Sequence, residues 1–291
     1  MIKYKEDFYM TNSDKTILVL GATGKQGGAV ARKLLADGWS VRAVSRRPNQ
    51  PAAQELQKRG ATVVQANMDN QQSLLEAMRG VYGVYSVQPL YLKDSEKEIQ
   101  QGKTVANVAK QVGVSHFVYG SAGGAERDSG VPHFETKWQV EKYVRAIGLP
   151  FTALRPAGFM ENFIGFSKAH EQKLMIQGFM DVNTNLQIIA VQDIGAFAAI
   201  AFNNPEKYKG KAIEIAGDEV TLSEVAKVFS QVFDTPCEVL ESARDQFQKN
   251  KMFEWLETDG YQADIPSLRK IHPELLDLST WVKNSGWDPF V

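Results

Sequence analysis

The chain contains 291 residues, of which 43% are hydrophobic and 23% charged, the balance of an ordinary globular protein. Its 33 basic and 34 acidic residues give a formal net charge of −1, so charge alone directs it neither to nucleic acid nor to an anionic membrane. The single cysteine, Cys237, excludes an internal disulfide and a cysteine-based metal cluster.

The first fifteen residues are mostly polar. Residues 1–15 read MIKYKEDFYMTNSDK, without the apolar centre of a secretory signal, and we expect them to form a flexible tail. No later apolar run reaches about 18 residues, the length that a membrane helix needs. Together with the single cysteine, these features predict a cytoplasmic protein that does not enter a membrane.

Between residues 16 and 155, short β-branched runs alternate with segments of helical apolar spacing. This alternation indicates βαβ units, and we expect an α/β fold with a doubly wound parallel sheet, a Rossmann fold, in the strand order 3-2-1-4-5-6. The predicted strands are TILVL (16–20), VRAVS (41–45), ATVVQA (61–66), VYGVYSV (81–87), SHFVYG (115–120) and PFTAL (150–154). Glycines that suit left-handed helix caps precede five of them: Gly38, Gly60, Gly80, Gly113 and Gly148.

Three sequence signals mark helix starts. Pro51 suits a first helical turn. Ser95-x-x-Glu98 and Thr221-x-x-Glu224 both match the capping box, in which the two side chains hydrogen-bond each other's backbone N–H groups.

After residue 155 the regular alternation ends. Residues 156–291 mix strand and helix signals, and we expect a smaller C-terminal α/β lobe, some of whose elements could rejoin the Rossmann sheet. Ligands of doubly wound sheets bind at the carboxyl ends of the strands, so this lobe is expected to close over that edge.

The first predicted strand is followed by a glycine loop. Gly21, Gly24 and Gly27 form G-x-x-G-x-x-G between a strand and a helix, the context in which such a loop binds a dinucleotide pyrophosphate. The side chains of Thr23, Lys25 and Gln26 could reach phosphate or the nicotinamide side. The alternative is a glycine-rich turn that serves only close helix–strand packing.

The end of the second strand indicates which dinucleotide binds. An NAD-specific site places a carboxylate there for the ribose 2′-hydroxyl, but Ser45 is followed by Arg46 and Arg47. Two guanidinium groups suit a 2′-phosphate, which favours NADP(H). The alternative is that both arginines are simply solvated.

Seven segments in this order and spacing resemble the NmrA-like family, an atypical branch of the short-chain dehydrogenase/reductase superfamily. Within that family, the chain is most similar to a subgroup of NADP(H) redox sensors and NADPH-dependent quinone reductases. The segments are GATGKQGGAVARKLL (21–35), VRAVSRRP (41–48), QANMD (65–69), QQGKTVANVAKQVGVSHFVYGSAGG (100–124), HFETKWQVEKY (133–143), RPAGFMENF (155–163) and AGDEVTLSEVAKVF (216–229).

The resemblance implies a set of NADP(H) contacts. The glycine loop would cradle the pyrophosphate, Arg46 would hold the 2′-phosphate, and Lys137 would hydrogen-bond the nicotinamide ribose. Relatives often have Asp where Asn67 stands, and some have Lys in place of Gln100. The implied contacts are Gly21, Ala22, Thr23, Gly24, Lys25, Gln26, Gly27, Arg46, Asn67, Met68, Gln88, Pro89, Lys137, Phe159, Met160, Glu161 and Asn162.

The catalytic motif of the wider superfamily is incomplete. Tyr-x-x-x-Lys occurs nowhere in the sequence; His133 stands where the tyrosine belongs and Lys137 keeps the lysine. Ser121 stands where such enzymes keep a carbonyl-polarising serine. His133 and Lys137 are the candidate catalytic residues, although a helix-surface histidine and a ribose-binding lysine are simpler interpretations.

Three functions remain open at this point. The first is NADPH-dependent reduction of a quinone- or enone-like molecule, with the proton from His133 or Lys137. The second is a non-catalytic redox sensor that binds NADP(H) and regulates a protein partner. The third, a nucleotide-sugar epimerase, is disfavoured because it needs the missing tyrosine.

No metal site is expected, since the remaining histidines are dispersed without acidic residues at ligand spacing. They are His116, His170 and His272. Phe159, Phe163 and Phe166 are expected to line a flat apolar pocket or to pack in the core between the lobes.

Overall fold

The computed structural model describes residues 12–90, 94–240 and 250–291. The strands are β1 (Thr16–Val19), β2 (Ser40–Ser45), β3 (Thr62–Gln65), β4 (Gly83–Ser86), β5 (His116–Gly120), β6 (Phe151–Pro156), β7 (Gly158–Phe159), β8 (Ser167–His170), β9 (Lys173–Gln177), β10 (Leu186–Ile189), β11 (Ala212–Ile215), β12 (Asp218–Val220) and β13 (Cys237–Leu240).

The described α-helices follow the same chain order, with short 3₁₀ turns at Asn12–Asp14 and Met160–Asn162. They are α1 (Lys25–Ala36), α2 (Pro51–Lys58), α3 (Gln71–Met78), α4 (Ser95–Gln111), α5 (Pro132–Ala146), α6 (Phe163–Phe166), α7 (Val191–Asn203), α8 (Pro205–Tyr208), α9 (Leu222–Phe233), α10 (Lys251–Thr258), α11 (Ile265–Ile271) and α12 (Leu278–Asn284).

A seven-stranded parallel sheet forms the centre of the molecule. Its order is β11-β6-β5-β4-β1-β2-β3, so the predicted 3-2-1-4-5-6 arrangement is confirmed and a seventh strand is added. That strand, β11, pairs in parallel with β6 and comes from the C-terminal part of the chain. The boundary at residue 155 stays a prediction, since the chain beyond it supplies both this strand and other elements.

Helices cover both faces of the sheet because its strands are apolar on both sides. Ile17 and Val19 of β1 pack with α1 and α7, whereas Leu18 packs with α3, α4 and α5 on the other face. The backbones of α1 and α7 touch: a Cβ on Gly195 would lie 2.7 Å from the Ala29 carbonyl oxygen. This contact fixes the helix that follows the glycine loop.

Two three-stranded sheets, β12-β10-β7 and β13-β9-β8, form a second core in the C-terminal part. Phe163 is buried there, at 5.9 Å from Phe229 between ring centroids, and Phe166 lies 4.8 Å from Phe179. For Phe163 and Phe166 the core interpretation is therefore right, and the pocket interpretation is wrong.

Local sequence signals predicted most helix ends correctly. The five closing glycines all have positive φ, between +68° and +100°, and α2 begins at Pro51. The Thr221–Glu224 capping box is formed. The Ser95–Glu98 box is wrong: Asp94 caps α4 by accepting from the Lys97 N–H, and Glu98 is buried against α5.

No helix in the described part of the chain has the length and hydropathy of a membrane span. Within the same residues, no three His, Cys, Asp or Glu side chains are grouped so that they could hold a metal ion.

Candidate functional site

A cleft of about 990 Å³ runs along the carboxyl edge of the seven-stranded sheet. Segments after six parallel strands, β1 to β6, form its floor, and residues 250, 252 and 261 of the C-terminal part complete its wall. Among the implied contacts, the side chains of Ala22, Met160 and Glu161 lie outside the lining, and the other fourteen line it. The chain therefore brings most of the predicted set into one cleft.

The glycine loop connects β1 to α1, and its backbone atoms pack too closely to admit a Cβ at Gly27. Gly21 has φ +66°, and a Cβ on Gly27 would lie 2.3 Å from the Gly21 carbonyl oxygen. Helix α1 begins after Gly24, and Gly24 has no side chain that could cap the first backbone N–H groups of the helix. A helix start of this kind suits a phosphate, because the glycines allow it to approach the backbone N–H groups closely.

The next strand ends with a cationic rim. Arg46 and Arg47 follow β2 and are both exposed where they line the cleft. Ser45 organises this turn, because its Oγ accepts from the Arg47 N–H at 3.1 Å and from Gln50 Nε2 at 3.3 Å. The only carboxylate among the described lining residues is Glu98, which belongs to α4 rather than to this rim.

Two amides occupy the middle of the cleft. Asn67 Oδ1 accepts the Asp69 N–H at 3.1 Å, which leaves its amide hydrogens for a ligand. Gln88 is 4% exposed and donates to Ser86 Oγ, while its buried Oε1 has no hydrogen-bond partner among the described residues. A buried acceptor of this kind needs a donor, which a bound ribose hydroxyl or carboxamide would supply.

The far end of the cleft contains a buried ion pair. Lys137 Nζ lies 2.8 Å from Glu98 Oε1, and Thr136 donates from Oγ1 to Glu98 Oε2 at 2.9 Å. Glu98 is 1% exposed and Lys137 is 9% exposed. The ammonium carries three hydrogens, so pairing with Glu98 leaves others for a ligand in the cleft.

His133 lies one helical turn before Lys137 on α5 and is half-buried. Burial, the largest cause, lowers the pKa of His133 below its usual 6.5; the Glu98 charge opposes this shift and the Lys137 charge adds to it. The imidazole is therefore neutral at pH 7 and is not a strong acid there.

Ser121 lines the cleft, and its hydroxyl belongs to a buried hydrogen-bond network. Its Oγ donates to Glu141 Oε1 at 2.5 Å, and Arg155 donates to both oxygens of the same carboxylate at 2.9 and 2.8 Å. A hydroxyl has one hydrogen, so Ser121 can accept from a ligand but cannot also donate to it. The carbonyl-polarising role of Ser121 stays a prediction, and it requires this hydroxyl to turn from Glu141 towards the cleft.

Some residues of the segment after β6 line the cleft, and others are buried in the core. Phe159 and Asn162 line the cleft, whereas Met160 is fully buried. Both carboxylate oxygens of Glu161 accept the Val191 N–H, at 3.0 and 3.1 Å, at the start of α7. The Glu161 side chain thus caps a helix and does not reach a ligand.

Several residues of the lining were not among the predicted contacts. Asn250, Met252 and Tyr261 contribute to the wall from more than 100 positions after the nearest predicted contact on α5, and Glu98 enters as the partner of Lys137. No local spacing marks these residues, because only the tertiary fold brings them to the sheet edge.

Three comparisons relate this chain to known proteins. The model of the NmrA-like family matches residues 13–270. The NmrA-like family domain-containing oxidoreductase FrzB of Cladobotryum sp is 29% identical over 253 residues, covering 76% of this chain and 74% of that protein.

Two solved structures share the fold. The negative transcriptional regulator NmrA, crystallised with NADP, has a TM-score of 0.80 at 22% identity, over 95% of this chain and 99% of its own. NmrA has also been crystallised with NAD. The NADPH-dependent quinone oxidoreductase QOR2 of Escherichia coli, complexed with NADPH, has a TM-score of 0.76 at 22% identity, over 93% and 99% of the two chains.

Proposed function

This chain belongs to the NmrA-like family, and on that premise we propose that it is an NADPH-dependent oxidoreductase acting on a quinone- or enone-like small molecule. The observation that carries the proposal is the cleft itself. It joins an uncapped helix start and two arginines at one end to an apolar compartment with a buried ion pair at the other.

NADP(H) fits the first end of the cleft. The glycine loop and the start of α1 would hold the pyrophosphate, with Thr23, Lys25 and Gln26 beside it. Arg46 and Arg47 would hold the 2′-phosphate, because β2 ends in two guanidinium groups without a carboxylate for a free 2′-hydroxyl. Since NmrA has been crystallised with either dinucleotide, this preference rests on the chain's own arginines.

The other dinucleotide half would lie along the amides and the ion pair. Gln88 and Lys137 face the region expected for the nicotinamide ribose, with Asn67 and Met68 near the adenine and Pro89 beside Gln88. When bound, the reduced coenzyme supplies a hydride. The task of the protein is then to hold the acceptor at that position and to exclude water.

A quinone or enone suits this second end. Its wall contains Phe134, Phe159, Met252 and Tyr261, which offer flat apolar surface to a planar acceptor. A quinone accepts hydride with little acid catalysis, so a site without the superfamily tyrosine remains adequate. His133 and Lys137 are the groups placed to deliver the proton that completes the product.

An NADPH-consumption screen tests this proposal. NADPH oxidation should accelerate when quinones or enones are added to the full chain, and NADH should support a much slower reaction. Absence of turnover across a broad panel of quinones, enones and simple carbonyls would contradict the enzymatic proposal.

One observation favours a second candidate, a non-catalytic NADP(H) sensor that regulates a protein partner. The superfamily tyrosine is replaced by His133, and the Ser121 hydroxyl donates its proton to Glu141, so the usual pair of tyrosine and serine donors is not present in the cleft. NmrA itself is described as a negative transcriptional regulator. The sensor requires NADP⁺ and NADPH to stabilise different conformations, and superimposable scattering profiles in the two forms would count against it.

A further inference from the structure

A tyrosine from the C-terminal part of the chain enters the cleft between two sheet loops. The ring of Tyr261 lies against Gly123, which follows β5, and near Gly158, which follows β6. A Cβ on Gly123 would lie 2.6 Å from Tyr261 Cδ1, and one on Gly158 would lie 3.9 Å from Cε2. The ring therefore occupies space that Gly123 leaves by having no side chain, at the edge where ligands of such sheets bind.

The backbone on both sides of Tyr261 is held by side chains from other elements. This arrangement fixes the position of the phenol before any ligand arrives, as a preorganised site requires. The hydrogen bonds run from Arg127 Nη1 to Gly260 O at 2.7 Å, from Gln262 N to Glu214 Oε1 at 2.8 Å, and from Ala263 N to Gln187 Oε1 at 2.8 Å.

The hydroxyl group of Tyr261 is available to a ligand. Its ring packs on Trp255 and Phe134, at 5.3 and 6.4 Å between centroids, but no described residue forms a hydrogen bond with its Oη. Burial raises the pKa of Tyr261; the Glu214 charge adds to this rise and the Arg127 charge opposes it. The phenol thus keeps its proton at neutral pH and acts as a donor.

We propose that Tyr261 is a catalytic residue of the reduction proposed above, whose hydroxyl donates a hydrogen bond to the acceptor oxygen that gains negative charge. It would supply a phenolic donor in place of the tyrosine that the superfamily has at position 133. The inference rests on the proposed function, and it concerns a residue outside the Tyr-x-x-x-Lys motif.

In this step the acceptor carbon receives a hydride with its electron pair from the reduced dinucleotide, which is thereby oxidised. The π pair of the carbonyl, or of the conjugated system, moves onto oxygen. Tyr261 stabilises that charge and retains its own proton. Lys137, His133 or water then protonates the product, so that one hydride and one proton are added in total.

Tyr261→Phe tests the proposal, because it removes only the hydroxyl and keeps the ring against Gly123. We expect kcat for a quinone or enone to fall by roughly ten- to a hundredfold, with the KM for the acceptor changed less, since the hydrogen bond strengthens as charge develops. The Kd for NADPH should stay within about twofold. Tyr143→Phe is the matched control, since its phenol donates to Asn107 on the outer surface at 2.7 Å.

A second readout does not depend on turnover. Pentafluorophenolate presents an anionic oxygen on a planar ring, and its binding to the NADP⁺-saturated protein is measured by calorimetry. The Kd should rise at least tenfold in Tyr261→Phe and stay unchanged in Tyr143→Phe.

The outcomes separate the two proposals. If the wild type reduces quinones and Tyr261→Phe does so at an unchanged kcat, the role of Tyr261 is overturned and the proposed function stands. If the wild type reduces none of the acceptors, the proposed function fails, and phenolate binding decides whether Tyr261 contacts a ligand oxygen. Equal phenolate affinity in the wild type and the variant, or no binding to either, overturns that contact.

Discussion

The two ends of the cleft are built in different ways. The end proposed for the phosphates consists of backbone, in the glycine loop, and of the exposed side chains of Arg46 and Arg47. The end proposed for the nicotinamide contains the buried pair of Lys137 with Glu98, and the buried pair of Arg155 with Glu141 lies behind it, outside the lining. Each pair joins different elements. We therefore expect substitutions at the first end to alter coenzyme affinity, and substitutions at the second end to alter stability as well.

The largest effect is expected from Glu141→Ala, at the buried end. The carboxylate is 0% exposed, and its removal leaves the Ser121 hydroxyl and two N–H groups of Arg155 without their acceptor. Arg155 then keeps only its ion pair with the more exposed Glu126. Breaking one side of a buried pair costs about 3–5 kcal/mol in the free energy of unfolding. Urea denaturation measures this loss, and Glu76→Ala, at an exposed glutamate on α3, should change the free energy little. A loss below about 1 kcal/mol would show that this end is not held by its ion pair.

Gly27→Ala tests the backbone geometry of the phosphate end. The new Cβ would lie 2.3 Å from the Gly21 carbonyl oxygen, so the loop must move. We expect about 1–3 kcal/mol of destabilisation together with loss of measurable NADPH binding. Gly165→Ala is the control, because no atom lies within 4 Å of its added Cβ. Normal NADPH affinity in Gly27→Ala would contradict the role of this loop.

Arg46→Ala should weaken NADPH binding without changing the stability of the protein. Loss of a charge-assisted hydrogen bond to the 2′-phosphate should raise the Kd for NADPH roughly ten- to a hundredfold and leave the Kd for NADH nearly unchanged. Because the side chain is exposed, the melting temperature should not change. The same substitution at Arg47 shows whether the two guanidinium groups share the phosphate. Equal losses of affinity for NADPH and NADH in Arg46→Ala would contradict the assignment of Arg46 to the 2′-phosphate.

The smallest effect is a pH dependence at the buried end. Since burial lowers the pKa of His133 below 6.5, the imidazole is neutral at pH 7 and gains its proton only as the pH falls further. An enone, which needs a proton, should then be reduced several-fold faster as the pH falls through this range, and His133→Gln should abolish that rise. His170→Gln, at an exposed histidine on β8, is the control. Identical profiles for His133→Gln and the wild type would exclude His133 as the acid.

The strand, glycine loop and helix that begin the cleft could be predicted from the sequence because they are adjacent in the chain. A positive φ favours glycine, and a strand, a glycine loop and a helix follow one another within a few residues. Gly21 and Gly38 could therefore be interpreted without knowledge of the fold. The strand order also followed, since βαβ connections have one hand.

The nicotinamide end could not be derived in the same way. Glu98 was assigned to a capping box from its spacing to Ser95, but the folded chain pairs it with Lys137, 39 positions later, and a buried charge must have such a partner. Glu161 follows β6 like a cleft residue, yet it caps α7. Tyr261 carries no motif, because only the packing of the C-terminal part against β5 and β6 brings it to the cleft.

The ratio of the dissociation constants for NADH and NADPH, measured by calorimetry on the wild-type chain at one salt concentration, tests the central claim most directly. Two arginines at the end of β2 and no carboxylate predict that NADPH binds at least tenfold more tightly. Equal affinities, or tighter binding of NADH, would contradict the account.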